Sequence, residues 1–331
     1  MTIDGKQIEA LLRSMTPDAS PVRVDRIDVL DGGRSAETIR VRAASTSGEQ
    51  RALDVVVRRV PADGLLAPYD IERECRVLRA LQASPIPVPA VAGCDAAGEH
   101  LGAPCMVTAY VDGEPLSFFG QTTAADDARL PAYFATLAAI HSLDWQAIGL
   151  AFLDTADDGV EGELRRDEAR LRHHNRYGPD ERRFADWLRA NKPAKTYKTL
   201  LHGDPNPANY LFDGPRIAAV LDWELALIGD PRLDLGFFAA IQSVLGGDWE
   251  LDAQAHARGY TVARRDEDLR SLDYFEAVGL FRLTGFLHAG DRLHGADVSA
   301  LRDRLHGRFE RIASGNADDP LTPAAGHQGE V

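Results

Sequence analysis

The sequence predicts an α+β fold, and three observations carry that expectation. Short strand-like runs crowd the first third of the chain: Val22 to Val29, Ile39 to Arg42, Leu53 to Arg59 and Pro104 to Val111. Helical periodicity dominates the remainder, over Leu130 to His141, Asp154 to Arg189, Leu269 to Leu293 and Val298 to Ile312. A second group of short apolar runs, Leu200-Leu201, Tyr210 to Phe212 and Ile217 to Leu221, falls between those helical stretches. Strands and helices that segregate along the chain, rather than alternate, mark the α+β class.

In chain order, Lys6 to Met15 reads as a short amphipathic helix with Ile8, Leu11, Leu12 and Met15 on one face. Val22, Val24, Ile27 and Val29 give the first strand its apolar residues. Gly32 and Gly33 follow before the next strand, where glycine permits positive φ and close backbone approach. With Ser35 beside them, they suit a loop folded over phosphates, although an ordinary hairpin carries the same letters. In Leu53 to Arg59, alternation puts Asp54, Val56 and Arg58 on one face. Asp70 to Gln82 is a helix with Ile71, Cys75 and Leu78 on its buried side. Pro85 to Pro89 is stiff and extended. The Arg-rich run from Asp154 to Arg189 reads as one long helical insert: a solvated helix face, or a lid over an anionic acceptor. Residues 313–331 are rich in Gly, Asp and Pro and read as a disordered tail.

A length of 331 residues allows two domains or one two-lobed domain. Apolar residues make up 44%, which is ordinary for a globular chain. No apolar run reaches the roughly 18 residues of a membrane span. Met1 to Glu9 carries an early acidic residue and no apolar core, so no signal peptide is expected. Cys75, Cys94 and Cys105 are odd in number and widely spaced, which points to a reduced, cytoplasmic protein. The net charge of −14 argues against nucleic acid and anionic membranes as partners.

The stretch from Leu200 to Phe238 carries the chemistry. Strand ends and a Pro-punctuated loop present three polar side chains: Asp204, Asn209 five residues on, and Asp222 thirteen residues later. Each alone is an ordinary turn residue. The ordered set suits phosphoryl transfer, in which a carboxylate accepts the proton of an attacking hydroxyl while an amide oxygen and a second carboxylate hold Mg²⁺. His202-x-Asp204-x₄-Asn209, then Asp222-Trp223-Glu224, then Gly229-Asp230-Pro231-x₂-Asp234-Leu235, resembles the aminoglycoside phosphotransferase-like enzymes, the phosphotransferase enzyme family. The spelling LDWELALIGDPRLDL is most similar to the branch that includes the kinase-like domains of acyl-CoA dehydrogenase family proteins.

The resemblance covers residues 25 to 295. It implies a protein-kinase-like fold with a β-rich nucleotide-binding lobe over 1–110 and a mostly helical catalytic lobe over 111–312. It implies ATP or GTP as donor, Mg²⁺, and a small-molecule hydroxyl acceptor: an aminoglycoside, a hydroxyacyl-CoA or another alcohol. By resemblance, Asp204 is the base and Asn209 and Asp222 are the metal ligands. Gly32, Gly33 and Ser35 form the nucleotide loop, Val56 and Tyr110 border the base, and Glu74 orients the phosphate-binding Arg58. Arg stands where the family usually has Lys, and Arg59 is the competing residue. His202 is expected to pack under the loop, Glu224 to assist through a water or serve structurally, and Asp234 to hold the loop backbone. The alternative is a catalytically inactive, kinase-like nucleotide-binding module, favoured only by the Arg58 substitution. A protein kinase is disfavoured because Gly203 precedes the base and only eleven residues separate Asp222 from Asp234.

Overall fold

The structure is a computed structural model. It describes residues 4–15, 21–30, 36–45, 52–61, 64, 66–116, 124–155, 157–245, 260, 271–294 and 298–316. Five strands form an antiparallel sheet in the order β1-β2-β3-β5-β4. They are β1 (Val22–Val29), β2 (Glu37–Ser45), β3 (Ala52–Arg59), β4 (Val91–Asp95) and β5 (Cys105–Ala109). The register sets Arg40 opposite Val56 and Val56 opposite Thr108. Alternation then sends Val55 and Val57 to one face and Asp54, Val56 and Arg58 to the other.

Helix α1 (Gly5–Met15) closes the first face, packing Ile8, Leu11 and Leu12 on Val41, Val57 and Val107. Helix α2 (Ile71–Leu81) serves the second face. Asp70 caps it by accepting the Arg73 backbone N–H at 2.9 Å, which satisfies one of the orphan donors of the first turn. Val77, Leu78 and Leu81 of α2 share one continuous core with Met106 and the helical lobe. The α1 face is thus a small separate core, while α2 is built into the larger one.

The helical lobe comprises α3 (Ala124–His141), α4 (Glu161–His173), α5 (Pro179–Ala190), α6 (Arg232–Leu245), α7 (Leu272–His294) and α8 (Ser299–Ala313). Helices α6 and α7 meet backbone to backbone. A Cβ on Gly236 would fall 2.2 Å from the Phe275 carbonyl, so a side chain there would force the pair apart. Two small sheets complete the lobe: β6 (Glu114–Pro115), β8 (Tyr210–Asp213) and β9 (Arg216–Val220), and β7 (Thr199–Leu201) paired with β10 (Leu227–Gly229). The three-residue β10 was not expected from sequence.

The Arg-rich run corrects the sequence reading of one long helix. It is two helices, α4 and α5, broken where Asn175 takes φ 56° and Gly178 leads into Pro179 at the first turn of α5. Part of it is the solvated face expected, with Arg165, Arg172 and Arg176 exposed, while Arg166 is half-buried and Arg170 is buried. Arg165 pairs with Asp157 and Glu161, Arg170 with Asp167 at 2.6 Å, and Arg172 with Glu168 at 3.3 Å. Local acids at helical spacing absorb the charge. Among the described residues no helix is long and apolar enough to cross a membrane. The expected tail, beyond Asn316, lies outside the described residues.

Candidate active site

Asp204 follows β7, Asn209 ends a short 3-10 turn before β8, and Asp222 follows β9. The two short strand pairs therefore bring the three together. The Asn209 side-chain amide donates to the Asp204 carboxylate at 3.1 Å and to the Asp204 carbonyl at 3.0 Å. Burial raises the Asp204 carboxyl pKa above the usual range, and the neighbouring Asp222 charge adds to the shift. Asp222 sits in the left-handed region at φ 65°, a conformation that non-glycine residues keep only where the surroundings impose it.

A buried frame holds the loop from below. Asp234, at the start of α6, accepts the His202 N–H at 2.9 Å and the Gly203 N–H at 3.0 Å. His141 reaches the same carboxylate through Nε2 at 2.9 Å and contacts the Tyr260 hydroxyl through Nδ1 at 2.7 Å. Burial opposes ionisation of Asp234, but the His141 hydrogen bond and the neighbouring donors hold its pKa below the usual value. His202 Nε2 lies 2.8 Å from the Leu221 carbonyl, and its Nδ1 accepts the Asp204 N–H at 3.2 Å. Both ring nitrogens are committed to backbone, so His202 positions the loop. Gly203 has φ 84°, and a Cβ there would fall 2.2 Å from the Leu225 carbonyl oxygen. Arg282 of α7 donates to the Gly203 carbonyl and pairs with Glu163.

On the sheet side, Arg58 enters the cleft and Arg59 does not. Arg58 lies 2.6 Å from Glu74 of α2, 2.8 Å from Asp222 and 2.5 Å from Glu224. Arg59 instead pairs with Glu37 at 3.0 Å and donates to the Leu101 carbonyl. One guanidinium thus faces three carboxylates. Burial pushes Glu74 up to about 7 and Glu224 up to about 8, with the Asp222 charge adding to both. Arg58 moves the other way: burial alone would lower it, but the surrounding acids hold it well above its usual value.

Val56 shares the face of β3 that carries Arg58, and Tyr110 follows β5, its N–H donating to the Asp54 carbonyl at 2.9 Å. The Tyr110 ring carries the Arg40 guanidinium at 3.4 Å from its centre, and Arg40 is held bidentately by Asp54. The expected base-bordering surface is therefore partly covered by Arg40. Gly32, Gly33 and Ser35 lie outside the described residues.

Asp222 Oδ1 is buried and makes no hydrogen bond, although Arg58 Nη2 is 2.8 Å away. The contact is ionic but poorly directed, which leaves a carboxylate lone pair open. Together with the Asn209 oxygen and the crowded Asp204 charge, this oxygen-rich, acid-rich set fits a hard divalent cation.

Sequence reasoning missed Arg282, Glu163 and Asp167, and it read His141 as a satisfied core histidine without finding its partner. A lone arginine in an apolar helical run, at 282, was the available signal for the first.

A β-sheet lobe with a helix tied to its third strand by an ion pair, set against a helical lobe that carries the Asp204 loop, defines the protein-kinase-like class. The sequence profile of the phosphotransferase enzyme family matches residues 26–275. The chain belongs to this family. Mouse acyl-CoA dehydrogenase family member 10 is 29% identical over 244 residues, covering 72% of this chain and 22% of the relative. The chain therefore matches under a quarter of that relative's length. Two solved structures share the fold. A candidate aminoglycoside phosphotransferase from Ralstonia eutropha JMP134 superposes with TM-score 0.69 at 22% identity, covering 96% of this chain and 98% of that one. A thermostable mutant of aminoglycoside phosphotransferase APH(4)-Ia, in ternary complex with ADP and hygromycin B, gives TM-score 0.61 at 18% identity, covering 94% and 99%.

Proposed function

We propose that this chain is a phosphotransferase of the small-molecule kinase type, moving the γ-phosphate of ATP or GTP to a hydroxyl of its acceptor. The observation that carries the reading is the Asp204 carboxylate, oriented by Asn209 and made more basic by burial and by Asp222. In the proposed reaction the acceptor oxygen bonds to the γ-phosphorus as the bond to the nucleoside diphosphate breaks. The hydroxyl proton passes to Asp204, and the diphosphate leaves. Asn209 fixes the rotamer of Asp204 through its amide nitrogen, which leaves its amide oxygen to face a cation. Asp222 supplies the second ligand. Mg²⁺ held there would neutralise phosphate charge. Arg58, kept in the cleft by Glu74, would take phosphate oxygens bidentately, with Gly32, Gly33 and Ser35 folded over them. Val56 and Tyr110 would border the base, and Arg40 would have to share or yield the Tyr110 face.

The complex of a fold neighbour with ADP and hygromycin B supports a nucleotide donor and a polyol acceptor of that general kind. The name of the mouse relative adds hydroxyacyl thioesters to the acceptors worth trying. The test is transfer of labelled γ-phosphate from ATP and GTP, with Mg²⁺, into aminoglycosides, macrolides, sugars, choline-like alcohols and hydroxyacyl-CoAs. Asp204→Asn is the blank. Transfer to one acceptor class, lost in the blank, is the expected result. Absence of Mg-nucleotide binding by the wild type would overturn the reading in favour of an inactive module.

A further inference from the structure

We infer that a second, arginine-walled cavity in this protein binds an oxyanion carried on an apolar group. The cavity has a volume of about 340 Å³, within the range of small-ligand sites. Three arginines line it, Arg73 of α2 and Arg166 and Arg170 of α4. Its apolar wall includes Leu66, Phe152 and Leu225. None of Asp204, Asn209 and Asp222 lines it.

Three arginines outnumber the two acids in the lining of this cavity, whereas in the cleft three carboxylates face one guanidinium. Two acids line it, Asp70, whose charge acts on Arg73, and Glu224. Asp70 caps α2, and Glu224 pairs with Arg58 at 2.5 Å. Behind the wall, Arg166, Arg170 and Arg282 share two carboxylates, Glu163 and Asp167. Arg73 hydrogen-bonds the carbonyls of Glu224 and Ala226 and pairs with no carboxylate among the described residues. Arg166 donates to the Leu225 carbonyl at 3.1 Å, and its contact with Glu163 is long, at 3.6 Å.

Three arginines thus meet at one concave surface, and two of them, Arg73 and Arg166, are held mainly by backbone carbonyls. Burial lowers the Arg166 pKa to about 10, and the charges of Arg73, Arg170 and Arg282 push it the same way. Burial lowers Arg73 also. A guanidinium has five donors, so each of the three lining arginines retains N–H groups for a ligand. A carboxylate or phosphoryl head would sit among them, with its apolar body on Phe152 and Leu225. Such a ligand would join α2 to α4 across the segment that follows Asp222.

The test is direct binding, measured calorimetrically on the full chain with its nucleotide cleft filled by a non-hydrolysable ATP analogue and Mg²⁺. Phenyl phosphate and phenylacetate are the probes; phenol and inorganic phosphate are the controls. At least one probe is expected to bind tenfold or more tightly than both controls, and the tighter probe identifies the head group. Ala169 is an exposed α4 residue on the cavity wall, so Ala169→Glu places a tethered carboxylate in the site without removing any buried partner. It is expected to weaken probe binding at least tenfold with an unchanged melting temperature. Arg166→Gln is expected to weaken it to a similar degree. Equal binding by wild type and Ala169→Glu, or no binding to the wild type, would overturn the inference. Because the readout is binding outside the nucleotide cleft, a failure to transfer phosphate does not bear on it.

Discussion

The frame under the Asp204 loop and the cluster around Arg58 use the same kinds of residue to opposite ends. In the frame, one carboxylate, Asp234, receives His141 and two backbone N–H groups, and it stays ionised against burial. Around Arg58, three carboxylates crowd one guanidinium, and two of them hold protons up to about 7 and 8. The frame is balanced and fixes a geometry. The cluster carries an acidic excess and an Asp222 oxygen with no hydrogen bond, which suits a place that takes up a cation. A fully satisfied buried network holds its shape, while a partly satisfied one stores strain that binding can relieve.

The largest expected effect is on the frame. Asp234→Ala leaves His141 and two N–H groups without their acceptor, and it should lower stability by about 3–5 kcal/mol. Chemical unfolding at pH 7 checks this; a loss under about 1 kcal/mol would mean that the frame is not what holds the loop. On the cleft side, Arg58→Ala should weaken nucleotide binding about tenfold or more, while Arg59→Ala should change it by less than about threefold, since a charged hydrogen bond contributes roughly 1.5–3 kcal/mol. Equilibrium titration of both variants decides, and the reverse order would move the phosphate contact to Arg59.

The smallest effect concerns pH. Glu224 binds its proton more tightly in the folded state, with a pKa raised from 4.5 to about 8 by burial first and then by Asp222. Its contribution to stability is complete below pH 4.5 and is lost as pH rises towards 8. Between pH 6 and pH 8 the wild type should lose on the order of 1 kcal/mol per pH unit relative to Glu224→Gln. Parallel slopes in the two proteins would show that Glu224 is already ionised at pH 6.

The chemistry-bearing loop was legible because its geometry is local. Asp204 and Asn209 share one turn, and the hairpin of β8 and β9 returns the chain to Asp222 within thirteen residues. Arg58 was legible through strand alternation, which also explains why Arg59 was a fair competitor: a slip of one residue exchanges the two faces. The ion pair between Arg58 and Glu74 followed from family resemblance, and the structure forms it. The partners of His141 and Arg282 were hidden, because 93 and 79 residues separate them from Asp234 and Gly203. Tertiary packing alone supplies those contacts. The break between α4 and α5 was missed because Asn175 and Gly178 are single-residue signals inside a strongly charged helical pattern. The arginine cavity was half visible: the arginines of α4 were noticed, and the acids that pair with some of them lie on the same helix, but Arg73, which joins Arg166 and Arg170 at the cavity, comes from α2.

The most direct test of the contrast is Asp204→Asn, followed by transfer rate, nucleotide affinity and melting temperature on the same preparation. Asn keeps an acceptor oxygen for Asn209 and removes a charge raised in pKa by burial and by Asp222. The expected result is a fall in transfer of about 10²–10⁴-fold, nucleotide affinity within a few fold, and a melting temperature equal to or above the wild type. A variant that melts well below the wild type, or that still transfers phosphate at a rate within tenfold, would contradict the account and make Asp204 a structural residue.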